Sequence, residues 1–421
     1  VGSKTMKRIC WLCIFLCSLG ISFFSIRLGS IALDNSKFAF LILLISIIIW
    51  CLSSKHAILK IKRDFCGHIQ IFMFIWFIYG LINVFFVKEI YEYLANLIAL
   101  FEGLVATIAF CTFFDKLDDI IVSMKAFLIA GVIHNIIGWQ EYITGNYRFV
   151  NEDIVYAFRR TRNPVSSFGN CNDFATFIFF VLFISIILVL ISKKKIAKIL
   201  YFGIAASSVL MIVFSGSRAN MLATFITAFI LIVYMVFKSS GRKGLKYLLL
   251  AILTIFLGII IGLYNGLQYI ILNFFNDPGT VSSNSERIKL ILNGIYFLKD
   301  SFGLGIGAGS VDYWLQNLAR YPVTVHKLHN WFLEILTSYG IFIFVGYMWS
   351  YWKLIKRNIY IACKIKNEKE KWTSLCFGIL LIGYVLSSIS DGSNFLHIWL
   401  WCFWGVAIAK CNISPNFQKG K

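Results

Sequence analysis

The chain has 421 residues, of which 59% are hydrophobic, 17% aromatic and only 14% charged, with a mean hydropathy of +0.78. A water-soluble domain carries roughly 25% charged residues, so this composition excludes a soluble enzyme and a disordered chain and reads as a polytopic membrane protein. The net charge of +20 raises nucleic acid and an anionic membrane surface as partners, and the placement of the charges decides between them.

Crossing a hydrocarbon core of ~30 Å takes roughly 20 apolar residues, and twelve such stretches follow one another. The first six are predicted at 9–26, 38–54, 69–87, 94–114, 120–143 and 173–192. The others are predicted at 197–215, 219–237, 247–272, 329–352, 373–390 and 394–410. Only the polar turn Ser215-Gly216-Ser217-Arg218 divides the seventh from the eighth. No small-residue cleavage pattern follows the first stretch and further spans succeed it, so a spanning helix is expected there instead of a cleaved signal. With no Pro- or Ser-rich linker and no repeat, residues 1–421 read as a single integral membrane domain. Two long loops interrupt it, 144–172 and 273–328.

The lysines set the orientation. Placing both termini in the cytoplasm puts Lys55, Lys60, Lys62, Lys193 to Lys195, Lys364, Lys366, Lys369 and Lys371 inside with the two long loops outside, and leaves everything that is not inside with almost no net charge. The positive balance is therefore a topology signal for the lipid bilayer, and nucleic acid drops out as a partner. The remaining segments favour arginine: Arg27, Arg148, Arg159, Arg160, Arg162, Arg218, Arg287 and Arg320. A planar guanidinium suits bidentate recognition of phosphate or carboxylate, whereas lysine suffices for anchoring at a leaflet.

Pro164, Pro278 and Pro322 fall in the long loops and none falls in a span. In the second loop, Asn284 and Ser285 can cap a helix from Glu286 to about Lys299, with Ile288, Ile291, Leu292 and Ile295 along one face. Gly303, Gly305, Gly307 and Gly309 then predict a tight turn, and Val311 to Tyr321 a second amphipathic helix. Such a pair would cap the membrane surface. The glycine run lacks the Lys-Ser/Thr of a phosphate-binding loop and follows no strand, so nucleotide binding is not expected.

Several polar residues stand where they are costly. Arg218 lies at the mouth between two spans, where a guanidinium needs an anion, water or a route to the interface. Arg287 opens the loop helix, where the helix dipole disfavours a cation unless a phosphate joins it; the bland alternative is a surface arginine paired with Glu286. His329-Asn330 precedes the tenth span and Glu334 follows about one turn later. A histidine at a helix N-terminus near several arginines should be neutral and able to accept a proton from a hydroxyl. Glu102 and Glu141, with Gln140, sit inside spans as functional or buried, hydrogen-bonded groups.

Of eleven cysteines only Cys171 lies near the outer surface, so no disulfide is expected. Cys10 and Cys13 have CxxC spacing but no second ligand pair, which favours apolar packing. His56, His68, His134 and His397 have no neighbours at ligand spacing, and neither a metal nor a cofactor is assigned.

The succession Phe168-Gly169-Asn170-Cys171-Asn172-Asp173-Phe174-Ala175, Ser215-Gly216-Ser217-Arg218, Ser285-Glu286-Arg287, Gly303-Leu304-Gly305-Ile306-Gly307 and His329-Asn330 resembles the bacterial O-antigen ligase and O-antigen polymerase family. The resemblance covers about 160–350; it departs at Cys171, where that family usually has proline. It implies an all-α, type C glycosyltransferase-like fold of about twelve spans with a large extracytoplasmic loop. It also implies inverting transfer of an undecaprenyl diphosphate-linked glycan at the outer face of the bacterial plasma membrane, without metal or nucleotide sugar. Carried over residue by residue, Arg218 and Arg287 would hold the diphosphate and His329 would activate the acceptor hydroxyl. Arg162, Asn172, Asn330 and Glu334 would line the substrate site.

Polymerisation of O-antigen or capsular repeat units onto a lipid-linked acceptor is the favoured reading, with a chain-length regulator as a candidate partner. The glycine turn and the arginines of the first loop offer a second anionic-lipid site, as two diphosphate-linked substrates require. The alternatives are a ligase that delivers the glycan to lipid A core or another terminal acceptor, and a lipid-linked oligosaccharide flippase.

Overall fold

The computed structural model describes residues 2–20, 22–28, 31–53, 65–150, 161–239, 241, 244–247, 249–250, 283–389 and 394–414. In a bilayer a segment must satisfy its own backbone polar groups, so proline-free apolar runs become helices. The first half contains α1 (Ser3–Cys17), α2 (Asn35–Ser53), α3 (Phe65–Ile82), α4 (Ile90–Phe113), α5 (Leu117–Thr144) and α6 (Cys171–Ile191). The second half contains α7 (Lys195–Phe214), α8 (Arg218–Lys238), the loop helices α9 (Ser283–Asp300) and α10 (Val311–Asn317), then α11 (Trp331–Lys364), α12 (Glu368–Ser387) and α13 (Ile398–Ile413).

Among the described residues eight helical stretches are long and apolar enough to cross a membrane, and α13 is a shorter apolar helix. Twelve spans were expected, and the difference has local causes. The first helix stops at Cys17, because the chain turns at Gly20 (φ +78°) and enters an antiparallel hairpin, β1 (Ser25–Leu28) with β2 (Ile31–Asp34). That hairpin shortens the first expected span and is the one strand pair among the described residues of an otherwise helical chain. The apolar part of α12 is shortened by its charged opening turn, Glu368 to Lys371. Most of the expected span 247–272 lies outside the described residues, as do Arg159 and Arg160.

The centre of the bundle is α6, buried from Asp173 to Ser185 and packed against α5, α7, α8 and α12. A helix apolar on every side has no preferred solvent face and takes the interior. Beside it, α13 packs along α4, with Gly103 leaving room for the Trp401 ring. Trp76, Trp331, Tyr347, Phe395 and Trp401 form an aromatic cluster with centroids 4.7–6.1 Å apart, in which the Trp331 indole donates to the Tyr347 hydroxyl at 2.7 Å. Burying such rings supplies much of the packing, and their mostly tilted or edge-on geometries suit the ring quadrupoles.

The second loop takes its expected form over α9 and departs from it at the end of α10. Residues Leu290, Asn293 and Phe297 of α9 turn toward Ile306, Val311, Leu315 and Leu328, whereas Ile288, Ile291, Leu292 and Ile295 are exposed. The helix has two apolar sides, and the one with the aromatic ring fills the local core. The second loop helix ends at Asn317, four residues short of the expected Tyr321.

Candidate active site at the loop end of the bundle

The first long loop is tied by hydrogen bonds to the helix ends beside it. His134 bridges the Ser18 carbonyl and the Ser166 hydroxyl at 2.8 Å each. A carbonyl only accepts, so Nε2 carries the proton and Nδ1 accepts from Ser166. The Glu141 Oε2 accepts from the Val165 and Ser166 amides at 2.8 Å. These two buried groups fold the segment from Arg162 to Asn170 back onto the helix ends, a structural use for both.

The glycine turn is also structural. Phe302, Gly303, Gly305, Gly307 and Gly309 all have positive φ, so the chain coils within a few residues. It docks into a break in α11, where Gly340 leaves helical geometry at φ +78°. There the amides of Ile306 and Gly307 donate to the carbonyls of Thr337 and Ser338, and the Ile341 amide donates to Gly303, at 2.9–3.0 Å. A β-carbon on Gly305 would lie 2.5 Å from the Gly340 nitrogen, so glycine is needed at this close approach. The amides of Gly303, Leu304 and Gly305 donate to Leu298, Ser301 O and Ser301 Oγ. Every amide from Gly303 to Gly307 is thus engaged within the protein, which removes the turn as an anion cradle.

The Ser215–Ser217 turn is built differently. Gly216 takes φ +70°, and Asn163 donates to the Ser215 carbonyl at 2.7 Å. Directly below, the buried Asn220 donates to Ser217 Oγ at 2.9 Å and to the Asn172 carbonyl at 3.2 Å. Its Oδ1 accepts from Ser387 at 2.6 Å and Thr176 at 3.2 Å. The network joins α6, α8 and α12 and fixes the first turn of α8, whose first residue is the exposed Arg218.

Arg287 lies close enough to feel that guanidinium. Burial, and then repulsion from Arg218, push Arg287 below the ordinary arginine value. Glu286 does not pair with it: its carboxylate accepts from the amide and hydroxyl of Thr324, which hold it below the usual carboxyl range. Arg218 and Arg287 thus lie within electrostatic range of each other, and an anion that met both would relieve their repulsion.

At the head of α11, Asn330 caps the helix by accepting from the Leu333 amide at 3.1 Å. His329, just before the cap, is half-buried with φ +49°, a left-handed backbone that is uncommon for a residue with a β-carbon. The Trp331 amide donates to the Ser388 carbonyl at 3.2 Å, and Ser388 adjoins the Ser387 that holds Asn220. The head of α11 and the head of α8 therefore converge through one stretch of α12.

The remaining predicted site residues are more scattered. Arg162, also left-handed at φ +55°, donates to the Ile143 carbonyl at 3.4 Å. Asn172 contributes backbone to the α6 cap, with its amide 2.7 Å from Asn170 Oδ1. Glu334 lines a small cavity of about 60 Å³ with Glu92, Asp312, His326 and Lys327.

Sequence reading missed Asn220 and Ser387, and also the pairing of His397 with Asp173, two buried groups 3.3 Å apart. It also missed a convergence of three buried thiols, Cys13, Cys17 and Cys402, within 4.8 Å. Cys13 thus groups with Cys17 and Cys402, and its CxxC neighbour Cys10 is outside the group. Three thiols are a donor set for a soft metal.

Helices long and apolar enough to cross a membrane, with a polar end that carries Arg218 and Arg287, define a multi-pass membrane protein. The family model described as O-antigen ligase matches residues 203–348, a stretch containing Arg218, Arg287, the glycine turn, His329 and Glu334. The chain is also similar to the teichuronic acid biosynthesis protein TuaE of Bacillus subtilis (strain 168), 27% identical over 358 residues, covering 82% of this chain and 72% of the relative. The family resemblance read from the motifs is borne out by the model that matches residues 203–348 and by the similarity to this relative.

Proposed function

We propose that this protein is an inverting glycosyltransferase that uses an undecaprenyl diphosphate-linked glycan at the outer face of the plasma membrane and polymerises repeat units of a surface polysaccharide. The observation that supports the reading is that Arg218 lies within electrostatic range of Arg287, while the Glu286 carboxylate is bonded to Thr324. Cleaving the bond between the anomeric carbon and the diphosphate leaves negative charge on undecaprenyl diphosphate, and preorganised guanidinium groups stabilise it as it develops. His329 takes the proton of the acceptor hydroxyl as its oxygen attacks the anomeric carbon from the face opposite the leaving group, and the configuration inverts. Asn330, Glu334, Asn172 and Arg162 are assigned to holding the sugars and the loop around them.

Polymerisation is preferred because the relative acts in teichuronic acid biosynthesis, a role that fits glycan assembly. Ligation to a terminal acceptor is the second reading. It is favoured by the engagement of the glycine-turn amides, since the turn then offers no second diphosphate site. The experiment incubates purified protein with the host's lipid-linked repeat unit alone, wild type beside His329→Ala. A ladder from wild type only supports a polymerase that depends on His329. Transfer only after adding a terminal acceptor makes it a ligase, and lipid movement across vesicles without transfer makes it a flippase.

A further inference from the structure

Below the hairpin lies a cavity of about 560 Å³, bounded by β2, the start of α2, the middle of α4, residues 148–150 and the start of α13. Its volume is within the ~300–1,000 Å³ of small-molecule sites. The family motifs do not reach it. Its most costly feature is Glu102, midway along α4 and 2% exposed, which makes no hydrogen bond to the described residues. A carboxyl inside a span is expensive, and here the packing makes no use of it.

The rest of the lining narrows the ligand. Asp34 and Glu102 share the lining with Lys37 and Arg148, so the cavity offers carboxyl acceptors as well as cationic donors. Asp34 is already engaged, accepting from the Ser36 amide at 2.9 Å and lying 3.3 Å from Lys37 Nζ. Phe149, stacked on Phe23 at 5.2 Å, adds an aromatic wall. Carboxylates that accept from hydroxyls, with an aromatic face for the C–H surface of a ring, suit a sugar.

The position also matters. Leu396 lines both this cavity and the small one containing Glu334, His326 and Lys327. On α4, Glu92 and Asn96 line the small cavity, while Ile98 and Glu102 line the large one, so the two follow each other along a single helix. The large cavity thus neighbours the small one, whose lining includes Lys327 and Leu328 just before His329.

Resting on the transferase reading above, we infer that this cavity binds the acceptor saccharide, with Glu102 accepting hydrogen bonds from its hydroxyls while the terminal sugar reaches toward His329. The probe is the reducing oligosaccharide released by mild acid from the host's own lipid-linked glycan, titrated onto the purified full-length protein and followed by saturation-transfer NMR. Wild type and Arg218→Ala are expected to bind it alike. Glu102→Leu is expected to lose the signal, and Glu102→Gln to bind about tenfold more weakly. If Glu102→Leu does not fold, Glu102→Gln decides alone, and unchanged affinity overturns the assignment. Displacement of the sugar by inorganic diphosphate, or no binding to wild type, also overturns it. Transfer assays separate the two ideas. Glu102-dependent binding without any transfer by wild type keeps the cavity and removes the transferase, whereas an unchanged acceptor KM in Glu102→Leu removes the cavity and keeps the transferase.

Discussion

The turn at Gly303–Gly309 and the turn at Ser215–Ser217 lie at the same end of the bundle and use their polar groups in opposite ways. In the glycine turn the amides from Gly303 to Gly307 bond within the protein, and the chain is wedged into the break at Gly340. In the serine turn the support comes from below, through Asn220, and Arg218 is left pointing away from the packing. A flexible glycine run is the feature that looks like a phosphate cradle, yet here it is the rigid scaffold. The groups proposed to meet an anion are side chains at two helix starts, one of them backed by buried amides and hydroxyls.

The comparison breaks most decisively at Gly305. Valine there would place its β-carbon 2.5 Å from the Gly340 nitrogen at a φ of +91°, and should cost about 2–5 kcal/mol. Folded protein should fall in detergent melts, and activity should fall only in proportion to it. Arg287→Ala should do the reverse, leaving the melt in place and lowering transfer by about 10²–10³-fold. Arg287→Lys should recover only part of that loss, because an ammonium replaces the fork by a point charge. If Gly305→Val folds normally and selectively loses donor binding, the division between scaffold and charge carrier is wrong.

Much of this was legible from sequence for a simple reason: an apolar run without proline has few alternatives in a bilayer. Hence α2 to α8 were located to within a few residues, and the turn before Arg218 separates two helices as its polarity suggested. The glycine turn was recognised as a turn, but its partner at Gly340 was not, since the docking is a tertiary contact between backbones. Periodicity showed the apolar face of α9 that is exposed, Ile288, Ile291, Leu292 and Ile295, and not the second apolar side, Leu290 and Phe297, which packs within the loop. Asn220, Thr176 and Ser387 read as isolated polar residues in three apolar helices; only folding brings them together.

That network gives a sharper test than the arginines themselves. Asn220→Ala removes the donor to Ser217 and the acceptor for Ser387, which should cost about 1–3 kcal/mol of stability. Transfer should fall about ten- to hundredfold through misplacement of Arg218, since small displacements of a positioned group are costly. Ser387→Ala should reproduce the stability loss with a smaller effect on transfer, because Asn220 keeps its bond to Ser217. Equal effects of the two substitutions on transfer would mean that the network acts by packing alone.

The smallest effect concerns the tether that keeps Glu286 away from Arg287. Its carboxyl is held below the ordinary value of 4.5 by the amide and hydroxyl of Thr324, so the folded state prefers the charged form. The sign follows: the stabilisation is complete above about pH 4.5 and is lost as the pH falls through the lower folded value. Glu286→Gln retains an acceptor for Thr324 but carries no charge at any pH. At neutral pH the variant's loop should be cut faster by protease between Tyr321 and His329 than that of wild type, and in acid the two should converge. Persistent separation of the two rates below the wild-type transition would show that the carboxylate's charge is not what fastens the loop, and would leave the freedom of Arg287 to be explained by the shape of α9.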